Sequence, residues 1–334
     1  MKINWGVLGA ATIAVEQVIP AMLQSEYSNV MAIASRNLKK AKSIAEQFNI
    51  PKWYDSYEAL LKDDKIQAVY IPLPNHLHVE WSIKALQAEK HVLVEKPIAL
   101  NAKEARKLWD EAKKYPNILL MEALMYRFHP QWIQVKQWID DGKIGKLRTI
   151  QSSFSFYVDD ANSIVNNKEF GGGSLMDVGC YSISISRFLF GNEPKSVLAA
   201  IEYDSEFQID KLTSGILEFE EGSSSFFCAT QLAENQQVQI FGTEGIIKFE
   251  LPFNPPKDRP AMIWLTVQGV TTEIEFEICD QYTLQADAFS SAILEGEEAP
   301  VPFKDAINNM VVIQKMHESN TLGRRIDYND VTFL

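Results

Sequence analysis

The sequence has little of what would direct a chain to a membrane, to nucleic acid or to an oxidising compartment. No apolar run approaches the ~18 residues that a membrane-spanning helix needs. A formal charge of −12 argues against nucleic acid and anionic membranes as general partners, while leaving room for one local basic pocket. The three cysteines, Cys180, Cys228 and Cys279, are too widely spaced for a metal-ligand pattern. They read as free thiols in a reducing cytoplasm. Met1-Lys2-Ile3-Asn4-Trp5 enters a strand at once, which leaves no length for an export signal. Low-complexity segments and solenoid-period repeats are missing too. What remains is an ordinary globular composition, and 334 residues suit two domains better than one.

Residues 1–123 alternate strand and helix. Apolar runs at Ile3–Leu8, Val30–Ala34, Ala68–Ile71, His91–Val94 and Ile118–Met121 are separated by helical spacing at about 12–25, 38–48, 76–88 and 102–114. That alternation predicts right-handed crossovers and a doubly wound parallel sheet, an α/β Rossmann domain. The first strand–helix turn has the form G-x-A-x-x-A. Gly9 permits the tight turn, Ala11 keeps the backbone approachable, and Ala14 lets the helix pack close to the sheet. The helix start around Thr12 and Ile13 then offers amide donors to a pyrophosphate. An ordinary strand–helix turn is the alternative.

The end of the second strand reports cofactor choice, because an acidic residue there would bind ribose hydroxyls and repel a 2′-phosphate. The chain has Ala34-Ser35-Arg36-Asn37, then Lys39 and Lys40. Arg36 can clamp a phosphate bidentately and Ser35 can donate to it, which favours NADP while leaving NAD possible. Arg36 as a solvated residue, or stacked on adenine, is the competing reading. After the third of these strands, Pro72-Leu73-Pro74-Asn75-His76-Leu77-His78 fixes a rigid loop, with Asn75 placed as an N-cap. His78 either faces the nicotinamide or serves the structure. Val92-Leu93-Val94 ends in Glu95-Lys96-Pro97, which delivers a lysine to the carboxyl end of a buried strand, where ligands bind in such sheets. A solvated Glu–Lys pair is the plainer alternative.

These segments resemble the Gfo/Idh/MocA oxidoreductase family. The resemblance rests on Ala34-Ser35-Arg36, the Pro72–His78 loop and Glu95-Lys96-Pro97. It continues through Met121-Glu122-Ala123-Leu124-Met125-Tyr126-Arg127-Phe128-His129-Pro130 and Gly171-Gly172-Gly173-Ser174-Leu175-Met176-Asp177-Val178-Gly179-Cys180-Tyr181. It points to the branch holding glucose–fructose oxidoreductase, NADP-dependent D-xylose dehydrogenase and dimeric dihydrodiol dehydrogenase. Tyr181 stands where the inositol dehydrogenase branch has histidine. The resemblance implies an NADP-binding domain over 1–123 and a substrate-binding, dimerising α+β domain over 124–334. It implies cofactor contacts from Gly9, Ala11, Thr12, Ile13, Ser35, Arg36, Lys40, Pro72, Leu73, Asn75, His78, Glu95 and Lys96. Catalysis would fall to Lys96, Asp177 and Tyr181.

In the second half, residues 129–141 read as a helix ending before Gly142, and 147–156 as a strand. An Asp/Asn/Gly-rich loop over 158–173 is a natural substrate-contacting segment or a plain connection. Arg127 and, within this loop, Asp159, Asp160 and Asn162 are the candidate readers of substrate hydroxyls. Ser174 can cap a helix on which Asp177 and Tyr181, four apart, share a face. Tyr181 is then either a general acid–base or a core aromatic. A free phenol near pKa ~10 needs a neighbouring ammonium to work at neutral pH, and Lys96 is the candidate. With that pair polarising the oxygen, no metal is required. Strands at about 196–203, 212–219, 224–231, 236–241, 246–250, 262–267 and 272–278 predict one large, mostly antiparallel sheet, closed by helices at 281–294 and 303–318. Its uncovered face suits a homodimer or a dimer of dimers.

The expected activity is hydride transfer between nicotinamide and a secondary alcohol or hemiacetal carbon of a sugar-like polyol. A trans-dihydrodiol is the alternative substrate. A nucleotide-binding sensor of the same fold, without turnover, is the alternative from another class.

Overall fold

In a computed structural model, which describes residues 1–329, the chain forms two compact units. One comprises Met1–Phe128 with Asp280–Ile307, and the other His129–Cys279 with Asn308 onward. The sequence reading assigned 124–128 and 280–307 to the second domain; their contacts lie with the first. Residues 330–334, at the end of that expected domain, lie outside the described residues.

The first unit is built on β1 (Ile3–Leu8), β2 (Ser28–Ala34), β3 (Lys52–Tyr54), β4 (Ala68–Ile71), β5 (His91–Glu95) and β6 (Leu120–Ala123). All pairings are parallel, in the order β3-β2-β1-β4-β5-β6. β4 is buried at every position, which is why its sequence is a continuous apolar run rather than an alternation. The order reverses between β1 and β4, which opens the crevice where such sheets bind ligands. The helix Gln281–Glu295 covers part of this unit. Asp280 caps it by accepting from Tyr282 N–H at 2.9 Å. Phe289 packs 5.7 Å from the Trp5 ring, and Trp5 Nε1–H donates to Ser290 Oγ at 3.0 Å.

The second unit holds β7 (Leu147–Tyr157), β8 (Ser196–Tyr203), β9 (Asp210–Glu218), β10 (Ser223–Ala229), β11 (Gln231–Gly242), β12 (Gly245–Phe249), β13 (Ala261–Val267), β14 (Val270–Phe276) and β15 (Ile326–Asp327). They form one nine-stranded sheet, β14-β13-β12-β11-β7-β10-β9-β8-β15. Only β7–β10 is parallel; the other pairs are antiparallel. The helix Cys180–Phe190 packs on it through Ser186, whose hydroxyl lies 2.7 Å from Ser224 Oγ. Asn309, on the helix Phe303–Leu322, donates to Cys180 O at 3.1 Å. Away from these helices, Gln151, Ser153, Ser214, Ser225 and Gln239 line a shallow hollow of 330 Å³. No helix among the described residues is long and apolar enough to cross a membrane.

Two helices begin with π turns, at Ala14–Val18 and Leu175–Gly179. The first precedes Pro20, which supplies no N–H to the ladder, so a looser turn is accommodated there. The second carries Asp177.

Candidate active site

The cofactor-type residues gather at the carboxyl ends of the first sheet. Gly9 has φ of +133°, a conformation that only glycine adopts without strain. Its N–H donates to Ala34 O at 3.0 Å. A Cβ at Gly9 would sit 3.1 Å from Leu73 Cδ2 and 3.7 Å from Pro72 Cγ. The turn after β1 therefore rests on the loop after β4, at the order reversal. Ala11 and Ile13 are half-buried, and Thr12 is exposed. Val15 N–H donates to Ala11 O, which starts the helix. First-turn amides have no acceptor within their own helix, so they are the donor set an anion needs.

At the end of β2, Ser35 is buried and its Oγ accepts from Asn37 N–H at 3.2 Å. Arg36 and Lys40 are exposed. Asn37 caps the helix Leu38–Phe48 by accepting from Lys40 N–H. The Arg36 charge opposes the rise in Tyr57 pKa that burial causes. Tyr57 packs edge-on to Trp81, with ring centroids 4.7 Å apart. Sequence reading missed Tyr57, because the short helix Tyr57–Leu61 carries too few turns to show a period. A cradle at Gly9 that a Cβ would fill, beside an exposed guanidinium at the end of β2, fits a phosphorylated dinucleotide.

The loop after β4 departs from expectation. Asn75 begins a single 3₁₀ turn, Asn75–Leu77, whose cap position is Pro74, and Leu77 stands at the cap of the helix His78–Gln87. Asn75 is therefore not the N-cap, because the extra turn moves the helix start two residues along, to His78. His78 is buried, with Nδ1 2.8 Å from Pro97 O and Nε2 2.6 Å from Leu73 O. Both ring nitrogens thus face backbone carbonyls. Two carbonyls favour the imidazolium, but burial outweighs them and lowers the pKa to about 4.

Lys96 is half-buried and precedes Pro97 through a cis peptide bond. Glu95 Oε1 accepts from Tyr70 Oη–H at 2.6 Å, and Oε2 from Lys96 N–H at 3.3 Å. Ile98 N–H donates to the buried Glu122 at 2.7 Å. Glu122 went unassigned in the sequence reading, although it lay inside the Met121–Pro130 segment. Burial, then Glu95, raise the Tyr282 pKa, while Lys96 opposes the rise.

In the second unit, Asp177 is half-buried on the π turn and its N–H donates to Gly173 O at 3.0 Å. Tyr181 is 5 % exposed, with ring centroids 5.6 Å from Phe154 and 5.3 Å from Phe253. Four residues separate Asp177 and Tyr181 across a π turn that passes into an α-helix. Ser174 makes no cap hydrogen bond, contrary to expectation; its backbone is already helical and its hydroxyl donates to Asp210 instead. Gly179 permits a close approach, and the neighbour is Cys228, whose Sγ would lie 2.8 Å from a Cβ.

The four candidate substrate residues are placed differently. Arg127 belongs to the first unit and pairs with Asp305 at 3.6 Å. Asp159, Asp160 and Asn162 are exposed in the second. Asp160 Oδ1 accepts from Asn162 N–H and Nδ2–H, and Tyr157 Oη–H reaches Asp159 at 3.4 Å. The buried Asn166 donates to Val158 O and Asp160 O, which ties the loop to itself.

A six-stranded parallel sheet with a glycine turn at its order reversal defines a dinucleotide-binding Rossmann unit. Residues 3–123 match the model of the Gfo/Idh/MocA oxidoreductase family, NAD-binding Rossmann fold, and residues 132–248 match that family's C-terminal domain. The chain belongs to this family of oxidoreductases. It is 42 % identical to an uncharacterized oxidoreductase of Rhizobium meliloti over 96 % of this chain and 98 % of that one. It is 34 % identical to D-xylose 1-dehydrogenase (NADP(+)) 2 of Haloferax volcanii, over 97 % and 99 %. Among solved structures, a 3-ketoreductase from Actinomadura kijaniata in complex with NADP and TDP-benzene superposes with a TM-score of 0.89 at 29 % identity, covering 96 % of this chain and 98 % of that one.

Proposed function

We propose that this oxidoreductase uses NADP to interconvert a secondary alcohol or hemiacetal carbon of a sugar-like polyol with the corresponding carbonyl. The observation that carries the reading is Ser35-Arg36 at the end of β2, beside the Gly9 turn. A guanidinium at that position attracts a 2′-phosphate that an acidic residue would repel. The xylose dehydrogenase and the NADP-bound ketoreductase support the choice of cofactor and of a sugar-like substrate. NAD is the weaker alternative.

Gly9, Ala11, Thr12 and Ile13 would hold the pyrophosphate, Ser35, Arg36 and Lys40 the adenosine phosphate, and the 72–78 and 95–96 segments the nicotinamide side. When bound, the nucleotide accepts or supplies hydride at the nicotinamide ring. The chain supplies orientation and the proton. In the oxidising direction Tyr181 takes the hydroxyl proton as the carbon gives up hydride, and in reduction it returns that proton to the oxygen. Lys96 favours the phenolate by its charge, and Asp177 orients the substrate hydroxyl or the lysine. His78 contributes by holding two loops, its ring nitrogens being engaged with Leu73 and Pro97. The open face of the large sheet, with Leu198 and Ile216 exposed on β8 and β9, suits a second copy of the chain. Three cysteines outside any disulfide suit a cytoplasmic setting.

The test is initial rate with D-xylose, D-glucose and a cyclic trans-diol, each with NADP and with NAD, for wild type beside Tyr181→Phe. Turnover with NADP on a sugar, reduced about 10²–10⁴-fold in Tyr181→Phe, is expected. Faster turnover of the diol would move the substrate class. Full activity in Tyr181→Phe would remove the proposed proton donor.

A further inference from the structure

We propose that Asp210 is a positioning residue for the reaction, holding the start of the helix that carries Asp177 and Tyr181. This rests on the roles proposed for those two residues and extends them to a side chain that touches neither substrate nor cofactor.

Asp210 opens β9 and is 3 % exposed. Its Oδ2 accepts from Ser174 Oγ–H at 2.8 Å and from Leu175 N–H at 2.7 Å. Its Oδ1 lies so close to Gly173 that a Cβ there would overlap it, and Gly173 is held at φ of +114°. One carboxylate therefore engages three successive residues at the helix entry. Gly173 O in turn accepts from Asp177 N–H at 3.0 Å, which carries the constraint onto the catalytic candidate. At the far end of the same π turn, Gly179 rests on Cys228. Cys228 Sγ–H also reaches Ser174 Oγ at 3.6 Å. The five-residue turn is thus pinned at entry and exit by groups on the sheet.

Nothing local asks for a buried carboxylate here. Ser174 could cap its own helix, as serine commonly does, but its hydroxyl donates to a residue 36 positions away. A buried carboxylate is costly unless its oxygens are hydrogen-bonded. Burial raises the Asp210 pKa, against the opposing charge of His317 and the hydrogen bonds from Leu175 and Ser174. Tyr203 Oη lies 3.3 Å from His317 Nδ1, so the imidazole whose charge acts on Asp210 is itself tied to β8. A rare turn closed by a hydrogen bond from Cys180 N–H to Leu175 O, five residues back, gains a fixed geometry from such an anchor.

The full chain is compared as wild type, Asp210→Ala, Asp210→Asn, Ser174→Ala and Tyr181→Phe. The readouts are kcat and KM per folded molecule, NADP dissociation constant, melting temperature, and amide hydrogen exchange over residues 174–181. Asp210→Ala should lower kcat about 10- to 100-fold, the scale of a small misplacement of reacting groups. It should leave NADP affinity within about twofold and speed exchange over 174–181. Asp210→Asn keeps an oxygen that accepts both donors and should restore kcat to within about threefold. Ser174→Ala, which removes one donor, should fall between. A lowered melting temperature with wild-type kcat and unchanged exchange in the folded molecules overturns the proposal. So does a failure of Asp210→Asn to restore activity. Loss of activity in Tyr181→Phe with none in Asp210→Ala overturns the proposal and leaves the proposed function standing; full activity in Tyr181→Phe removes the proton donor on which the proposal rests and so overturns it.

Discussion

His78 Nδ1 stands 2.8 Å from the carbonyl oxygen of Pro97, the residue after Lys96, while its other ring nitrogen stands 2.6 Å from Leu73 O. One imidazole thus joins the loop after β4 to the loop after β5. Burial lowers its pKa from 6.5 to about 4. Between those values the unfolded chain binds more protons than the folded one. Stability from this group is therefore complete above about 6.5 and is lost as the pH falls toward 4. His91 and His129, both lowered to about 4 by burial, act in the same direction. Urea midpoints measured from pH 7.5 to 4.5 should fall for the wild type and fall less steeply for His78→Gln. Equal slopes for the two proteins would refute the assignment.

Arg36 sets the second expectation. Arg36→Ala removes a charge-assisted hydrogen bond of about 1.5–3 kcal/mol. KM for NADP should rise about 10- to 100-fold, while KM for NAD changes little. Tyr57→Phe, which removes the phenol that the Arg36 charge acts on, should shift the NADP-to-NAD ratio the same way by a smaller factor. An unchanged ratio in Arg36→Ala would exclude this residue from 2′-phosphate recognition.

Gly9→Ala places a methyl 3.1 Å from Leu73 Cδ2 in a backbone held at φ of +133°. Strain of about 1–3 kcal/mol is expected, seen as a lower melting temperature. Titration calorimetry should also show weaker NADP binding, because the displaced turn presents its amides differently. Wild-type affinity in a destabilised variant would separate the turn from the phosphate site.

Lys96→Met tests the proposed ammonium–phenol pairing. A phenol without a cationic neighbour titrates near ~10. The alkaline rise in kcat for alcohol oxidation should therefore move upward by about one pH unit or more, with kcat at pH 7 reduced about 10²–10⁴-fold. A lowered kcat with an unmoved profile would make Lys96 a substrate binder only.

The parallel sheet could be read from sequence because its longer strands are mostly apolar, and the runs at Val30–Ala34 and Ala68–Ile71 are uninterrupted and end at Ser35 and Pro72. β3 escaped notice: Lys52-Trp53-Tyr54 is three residues long, and Trp53 is 39 % exposed. The Gly9 turn and the places of Arg36 and Tyr181 in the fold were legible because each stands at a fixed distance from a strand or a motif. Asp210 was not. Its partners lie 35 and 36 residues away, and no local pattern distinguishes it from any aspartate opening a strand. The position of Gln281–Glu295 was equally hidden. An amphipathic period shows which face is apolar, but not which sheet that face meets.

That misplaced helix has a consequence for the order in which the chain can fold during synthesis. Trp5 leaves the ribosome well before its partners, and its indole waits for Ser290, 285 residues further on, and for Phe289 beside it. Ser25 likewise donates to Asp287 at 2.5 Å. All six strands of the parallel sheet lie within residues 3–123, yet the helix that packs on Trp5 follows only at Gln281–Glu295. A fragment ending at Phe128 should therefore expose an apolar surface, bind a hydrophobic dye and aggregate, and supplying residues 280–307 as a separate peptide should reduce both.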